Sequence, residues 1–197
     1  MFTGIIEDIA IVKTITPQNT NIVFELEAPF VHELKIDQSV AHNGVCLTVT
    51  EITDTTYTVV AIDETISKTS LGTWQAGDII NLERCMPATG RFDGHIVQGH
   101  VDTTGNCKSI DNKDGSWLIE IEYDNAKHIT VEKGSICLNG ISLTVVDSQT
   151  TKLPYSFSVA IIPYTFEHTN LNSLQVGTKV NLEFDIIGKY LAKLVGR

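Results

Sequence analysis

The chain has 197 residues, 42% of them hydrophobic and 19% charged, and carries a formal net charge of −10 at pH 7. That length admits one large or two small domains with an ordinary apolar core, and the negative charge argues against nucleic acid, which selects basic faces. No run approaches the roughly 18 apolar residues of a membrane span, and MFTGIIEDIA lacks the basic-then-apolar order of a signal peptide, so neither membrane nor export is expected.

In chain order, alternation and β-branched residues predict strands over NTNIVFELEAP (19–29), VCLTVTEI (45–52), TTYTVVAI (55–62) and DIINLE (78–83), with turns about every ten residues. VHELK (31–35) and TSLGTW (69–74) read as single helical turns. Between the strands, SVAHNGVCLTV (39–49) is a hairpin, because Asn43-Gly44 is a strong signal for a two-residue turn with positive φ. Period-two alternation then sends Val45, Leu47 and Val49 to one face, and Cys46 and Thr48 to the other. MPATGRFDG (86–94) has the Pro and Gly content of a linker.

The second half repeats the first. SICLNGISLTV (135–145) rewrites the hairpin with Ser142 where Cys46 stood. MFTGIIE matches IVQGHVD (96–102), pairing Gly4 with Gly99, and ETISKTSLGTWQAGDIINLE (64–83) matches YTFEHTNLNSLQVGTKVNLE (164–183). A duplicated domain follows. Several short strands in about 90 residues are too few for a two-sheet sandwich and suit a small closed barrel, which removes exposed edges. The tail IIGKYLAKLVGR has Ile187, Leu191 and Leu194 at helical spacing, and a helix so short must pack on its own barrel or on a neighbouring subunit.

The hairpin's outer face offers a thiol or hydroxyl, a threonine hydroxyl and free backbone amides, which describes a pocket wall for a flat heterocycle. Each feature also has a plain structural meaning: strand cysteines are often small buried hydrophobes, and strand threonines follow propensity. Cys46, Cys85, Cys107 and Cys137 have no CxxC pairing and read as free thiols in a reducing, cytoplasmic setting. His95 and His100 have no third partner at metal spacing, so a proton-transfer or hydrogen-bonding role suits them better than metal binding.

Taken together, MFTGIIE, NGVCLTV, GRFDGHIVQGHVD, KGSICLNGISLTV, VNLE and IGKY resemble the riboflavin synthase family, in the family's order and over nearly the whole chain. The resemblance implies a mainly β protein of two homologous Greek-key β-barrels in tandem, 1–90 and 91–187, with a C-terminal α-helix, 188–197. It implies a homotrimer, and an active site between the N-terminal barrel of one subunit and the C-terminal barrel of the next. The implied reaction transfers a four-carbon unit between two molecules of 6,7-dimethyl-8-ribityllumazine, giving riboflavin and 5-amino-6-ribitylaminouracil, without cofactor or metal. The same pathway would accommodate association with lumazine synthase, which no residue here specifies.

Carried over by motif, Ser39, Cys46 and His100 are the implied catalytic residues. The implied substrate-binding positions form matched sets. Gly4, Ile5 and Ile6 answer to Gly99, His100 and Val101, while Cys46, Leu47 and Thr48 answer to Ser142, Leu143 and Thr144. The strand stretch Val60, Ala61, Ile62, Asp63, Glu64 and Thr65 answers to Ala160, Ile161, Ile162, Pro163, Tyr164 and Thr165. Lys133 stands alone as a partner for a ribityl hydroxyl. A reaction between two copies of one molecule needs two similar pockets with different roles. Shared residues should therefore bind, and the asymmetries Cys46/Ser142 and His100/Ile5 should divide the chemistry. Asp63 and Tyr164 depart from the family's usual proline and histidine, and the tail beyond Tyr190 is short. The rivals are a lumazine-binding relative that holds one ligand as an optical antenna, and a ligand-free structural module.

Overall fold

The computed structural model describes residues 1–196; Arg197, the last residue of the expected helix, lies outside the described residues. The first repeat supplies β1 (Asp8–Gln18), β2 (Asn21–Glu27), β3 (Ser39–His42), β4 (Val45–Ile52), β5 (Thr56–Ala61) and β6 (Ile79–Arg84). They close in the order β1-β2-β5-β4-β3-β6. The second repeat supplies β7 (Thr103–Asn112), β8 (Trp117–Tyr123), β9 (Ser135–Leu138), β10 (Ile141–Gln149), β11 (Tyr155–Ile161) and β12 (Lys179–Phe184), closed in the equivalent order. Every pairing is antiparallel. Bulges fall at the same repeat positions, Val12/Thr14 with Cys107/Ser109 and Val49/Glu51 with Val145/Asp147, so the strands bend alike in both barrels.

Each barrel is filled by its own apolar cluster, including Phe24, Leu26, Val49, Tyr57 and Leu82 in the first and Ile119, Ile121, Val145, Phe157 and Leu182 in the second. Alternation delivers them: Val45, Leu47 and Val49 are buried, while Cys46 is half-buried and Thr48 exposed. Both helical turns appear, at Val31–Glu33 and Leu71–Thr73. The expected strand stretches 60–65 and 160–165 are shorter than the sequence pattern suggested. β5 and β11 stop at Ala61 and Ile161, and helices α1 (Asp63–Lys68) and α2 (Pro163–Glu167) begin two residues later. Proline at the first helical position, and the paired carboxylates Asp63 and Glu64 in the first turn, start these helices.

The barrels meet across a pseudo-two-fold axis. The hairpin turns are left-handed at Asn43 (φ 46°) and Asn139 (φ 46°) and pack tip to tip. Asn81 and Asn181 complete the junction, Asn81 Nδ2 donating to Asn139 O at 3.0 Å and Asn181 Nδ2 to Asn43 O at 2.9 Å. The symmetry lapses where Asn170 answers Ser70. Both backbone amides donate to an asparagine of the other barrel, but only Asn170 adds a side-chain bond from its amide to Asn43 Oδ1 at 3.0 Å.

The tail forms α3 (Ile186–Leu194), capped by Asp185, whose side chain accepts from Ile187 N at 2.9 Å. It starts two residues before the expected 188. Of the two packing partners open at the sequence level, its own barrel receives little: Ile187, Tyr190, Leu191 and Leu194 remain exposed, Leu194 by 81%. Lys189 ties α3 to Asp102 at 2.8 Å. Among the described residues no helix is long and apolar enough to cross a membrane.

Candidate active site

The segments ahead of β1 and β7 do not stay with the barrels they lead into. Phe2 and Val97 bridge antiparallel, and from that crossing each segment runs to the hairpin of the opposite repeat. Gly99 O accepts from Cys46 N at 2.9 Å, and Gly4 O accepts from Ser142 N at 2.7 Å. Val101 packs on the first barrel's core and Ile6 on the second's. A Cβ at Gly99 would stand 2.5 Å from Cys46 Cβ, and one at Gly4 2.6 Å from Ser142 Cβ. Both glycines also have positive φ, 79° and 78°, so glycine is required twice over.

This exchange builds the first pocket from both halves of the chain. Cys46, Glu64, Thr65, Gly99, His100 and Val101, all expected from the sequence, line one cavity of about 230 Å³. Val45, Lys68 and Thr69 join them. Thr69 is placed by its hydroxyl, which donates to Thr65 O at 2.7 Å. The helix is held by Ile66 on the barrel core, as α2 is held by Phe166, stacked on Trp117 at 3.9 Å. Burial raises the pKa of the Cys46 thiol, and a hydrogen bond with Ser39 only partly opposes this. The sulfur is therefore a thiol at neutral pH and not an activated thiolate.

In the second repeat Gly4 meets Ser142 as Gly99 meets Cys46, and Ile5 and Ile6 follow at the positions of His100 and Val101. Its distinctive contact is His95 Nδ1 to Ser142 Oγ at 2.6 Å. Burial lowers the His95 pKa, with Asp185 pulling the other way, so the imidazole is neutral at pH 7. Tyr164, exposed, stacks on the exposed His168 with ring centres 4.1 Å apart. Lys133, left-handed at φ 63°, donates its backbone N–H to Val145 O and leaves its side chain exposed.

Some expected lining residues look elsewhere. Leu47, Ala61 and Ile161 are buried in the barrel cores. Val60, Ala160, Ile62, Asp63, Ile162, Pro163, Thr48 and Thr144 are exposed or half-buried on the outer faces, whereas Leu143, half-buried, packs on the second core. Sequence reasoning missed His95 as a partner of Ser142, and it missed Glu83 and Glu183. Glu83 accepts from Thr3 N, Thr3 Oγ1 and Gly4 N. Glu183 accepts from Gln98 N, Gly99 N and His100 N. The available signal was the recurrence of NLE, at 81–83 and 181–183, in both halves.

The lumazine binding domain model matches this chain twice, at residues 3–85 and 98–185. A riboflavin synthase of Actinobacillus pleuropneumoniae is 42% identical over 197 residues, covering 99% of this chain and 90% of that protein. The riboflavin synthase of Mycobacterium tuberculosis strain H37Rv is 38% identical over 198 residues, covering 99% and 98%. The chain belongs to the riboflavin synthase family. Within that family it carries two lumazine binding domain repeats. The crystal structure of LumP complexed with 6,7-dimethyl-8-(1'-D-ribityl) lumazine has the same fold, with TM-score 0.83 at 20% identity over 93% of this chain and 99% of that one.

Proposed function

We propose that this chain acts as a riboflavin synthase. It binds two molecules of 6,7-dimethyl-8-ribityllumazine and transfers a four-carbon unit from one to the other, releasing riboflavin and 5-amino-6-ribitylaminouracil. One observation carries the reading: the same crossing of a glycine onto a hairpin occurs twice with different side chains beside it, Cys46 with His100 along one cavity and Ser142 with His95 at the other crossing. Two like substrates in unlike roles need that arrangement.

The substrate brings most of the reactivity, because the anion left by deprotonating its C7 methyl is delocalised over the ring. Holding two rings in register then supplies the largest share of rate, up to about 7–11 kcal/mol for well-oriented partners. His100 is the proton-transfer group of the first pocket. Cys46, kept as a thiol beside Ser39, serves as a small hydrogen-bonding contact to the ring. The neutral His95–Ser142 pair polarises or relays a proton in the second. Lys133 is assigned to a ribityl hydroxyl.

A cavity of 230 Å³ is smaller than the roughly 300–1,000 Å³ that encloses a drug-sized ligand. It suits one face of a bicyclic ring whose other face meets a second ring. With Ile5, Ile62, Ile162 and the apolar side of α3 exposed, assembly as a homotrimer, barrel 1–90 of one subunit facing barrel 91–187 of the next and tails 188–197 together, would complete both sites. No role is assigned to a cofactor, and association with lumazine synthase rests on the resemblance alone.

Incubation with 6,7-dimethyl-8-ribityllumazine tests the reading by absorbance and green fluorescence. Riboflavin should appear at half the lumazine consumed, and His100→Ala should slow it by about 10²–10⁴-fold. Lumazine bound by the assembled protein but recovered unchanged would make this a binding protein instead.

A further inference from the structure

The asparagine of each NLE stretch, 81–83 and 181–183, belongs to the junction between barrels and its leucine to a core, but the proposed chemistry leaves its glutamate without a task. We propose that Glu183 is a positioning residue for His100, fixing the loop 98–100 from the second barrel while that loop forms a wall of the first barrel's pocket. The proposal rests on the reading of His100 as the proton-transfer group.

Glu183 is 2% exposed. A carboxylate so placed is costly unless its oxygens are filled, and an apolar residue of similar volume would do as well for packing alone. Its oxygens are filled by three consecutive backbone amides: Gln98 N at 2.7 Å, Gly99 N at 2.9 Å and His100 N at 3.0 Å. A carboxylate gathering three adjacent amides fixes the φ and ψ of the loop between them, because each bond is charge-assisted and directional. The loop is then closed from its other side by Gly99 O on Cys46 N. His100 itself is exposed and has no side-chain hydrogen bond among the described residues. Its placement therefore depends on its own main chain, and Glu183 holds that main chain.

The other repeat sharpens the assignment. Glu83 also takes three donors, but they are Thr3 N, Thr3 Oγ1 and Gly4 N; the amide of Ile5, which answers to His100, is not among them. The clamp extends to the next residue only in the half where that residue is a histidine. Burial raises the pKa of both glutamates while the amides oppose it, so the two differ in what they hold rather than in how they are buried.

The test is a double-mutant cycle on the full chain with 6,7-dimethyl-8-ribityllumazine, with thermal unfolding followed in parallel. Glu183→Gln is expected to lower kcat by about 10- to 100-fold and to move KM by less than about threefold. In a His100→Ala background the same change should lower kcat by less than about threefold, since there is no ring left to place. Glu83→Gln should lower kcat by the same factor in both backgrounds. An unchanged kcat in Glu183→Gln, or a loss of equal size with and without His100, would overturn the proposal. If Glu183→Gln does not fold, Glu183→Asp, one methylene shorter with the charge kept, takes its place in the cycle. If His100→Ala alone leaves kcat unchanged, the reading of His100 has failed and the positioning role falls with it; an additive cycle on a slow His100→Ala enzyme refutes the positioning role alone.

Discussion

The first barrel buries a polar pair where the second buries hydrocarbon. His42 Nε2 lies 2.8 Å from Tyr57 Oη, and its Nδ1 lies 3.0 Å from Val40 O; the matching residues of the second repeat are Leu138 and Phe157. The pockets show the same kind of divergence, thiol and exposed histidine in one, hydroxyl and half-buried histidine in the other. Backbone, bulges, turn tips and the crossing of segments stayed alike while these side chains parted. Duplication repeated the backbone frame, and the side chains set on it then diverged.

The largest effects should come from closing one pocket at a time. Gly99→Ala puts a methyl against Cys46 and Gly4→Ala one against Ser142; positive φ costs about 1–2 kcal/mol and overpacking about 1–3 more. Urea unfolding should register about 2–5 kcal/mol for each. Lumazine titration should fall to the one site left intact, a different site in each variant. Loss of both sites from either substitution would mean that the pockets are one cooperative unit, and the comparison between them would fail.

Acid should act on the first barrel. Burial pushes His42 down to about 4 from an ordinary 6.5. Between those values the unfolded chain takes up a proton that the folded chain refuses, so stability is full above about 6.5 and falls as the pH drops toward 4. At about 1.36 kcal/mol per unit the loss is about 3 kcal/mol. The glutamates Glu83 and Glu183, with raised values, act in the opposite direction and are common to both proteins compared. The double change His42→Leu, Tyr57→Phe copies the second barrel and should flatten the slope in denaturation measured from pH 7 to pH 4. A slope that survives it would place the acid-sensitive group elsewhere.

The smallest effect is expected at the residue the sequence made most conspicuous. Because Cys46 is held as a thiol, Cys46→Ser, which gives the first pocket the second's residue, should slow turnover by less than about tenfold. A loss of a thousandfold or more would mark a thiolate nucleophile and reverse the reading of that pocket.

Much of the architecture was legible. β-branched alternation and Asn-Gly turns are local signals, and their recurrence at a near-constant offset exposed both barrels and the faces of both hairpins. Residues 60–65 read as strand because Val60, Ala61 and Ile62 continue the apolar run; only Pro163 in the second copy marked where a helix takes over. The crossing of the N-terminal segments left no trace, since it rests on one isolated bridge between Phe2 and Val97 and on carbonyls that any residue carries. The clamps of Glu83 and Glu183 were equally silent, for their partners are backbone amides. His95 was noticed, but its partner Ser142 lies too far along the chain for spacing to connect them.

The exchanged segments also set an order of events in synthesis. Residues Met1 to Glu7 cannot reach their seat until Ser142, far later in the chain, has been made, because Gly4 docks on the hairpin that carries it. The six strands of the first barrel can pair well before that. Met1 to Glu7 are thus translated well before they can be placed, and docking them fastens two prefolded barrels into one body. Contacts of such long sequence separation are slow to form. A fusion partner joined at Met1 would burden that last step while leaving each barrel free to close.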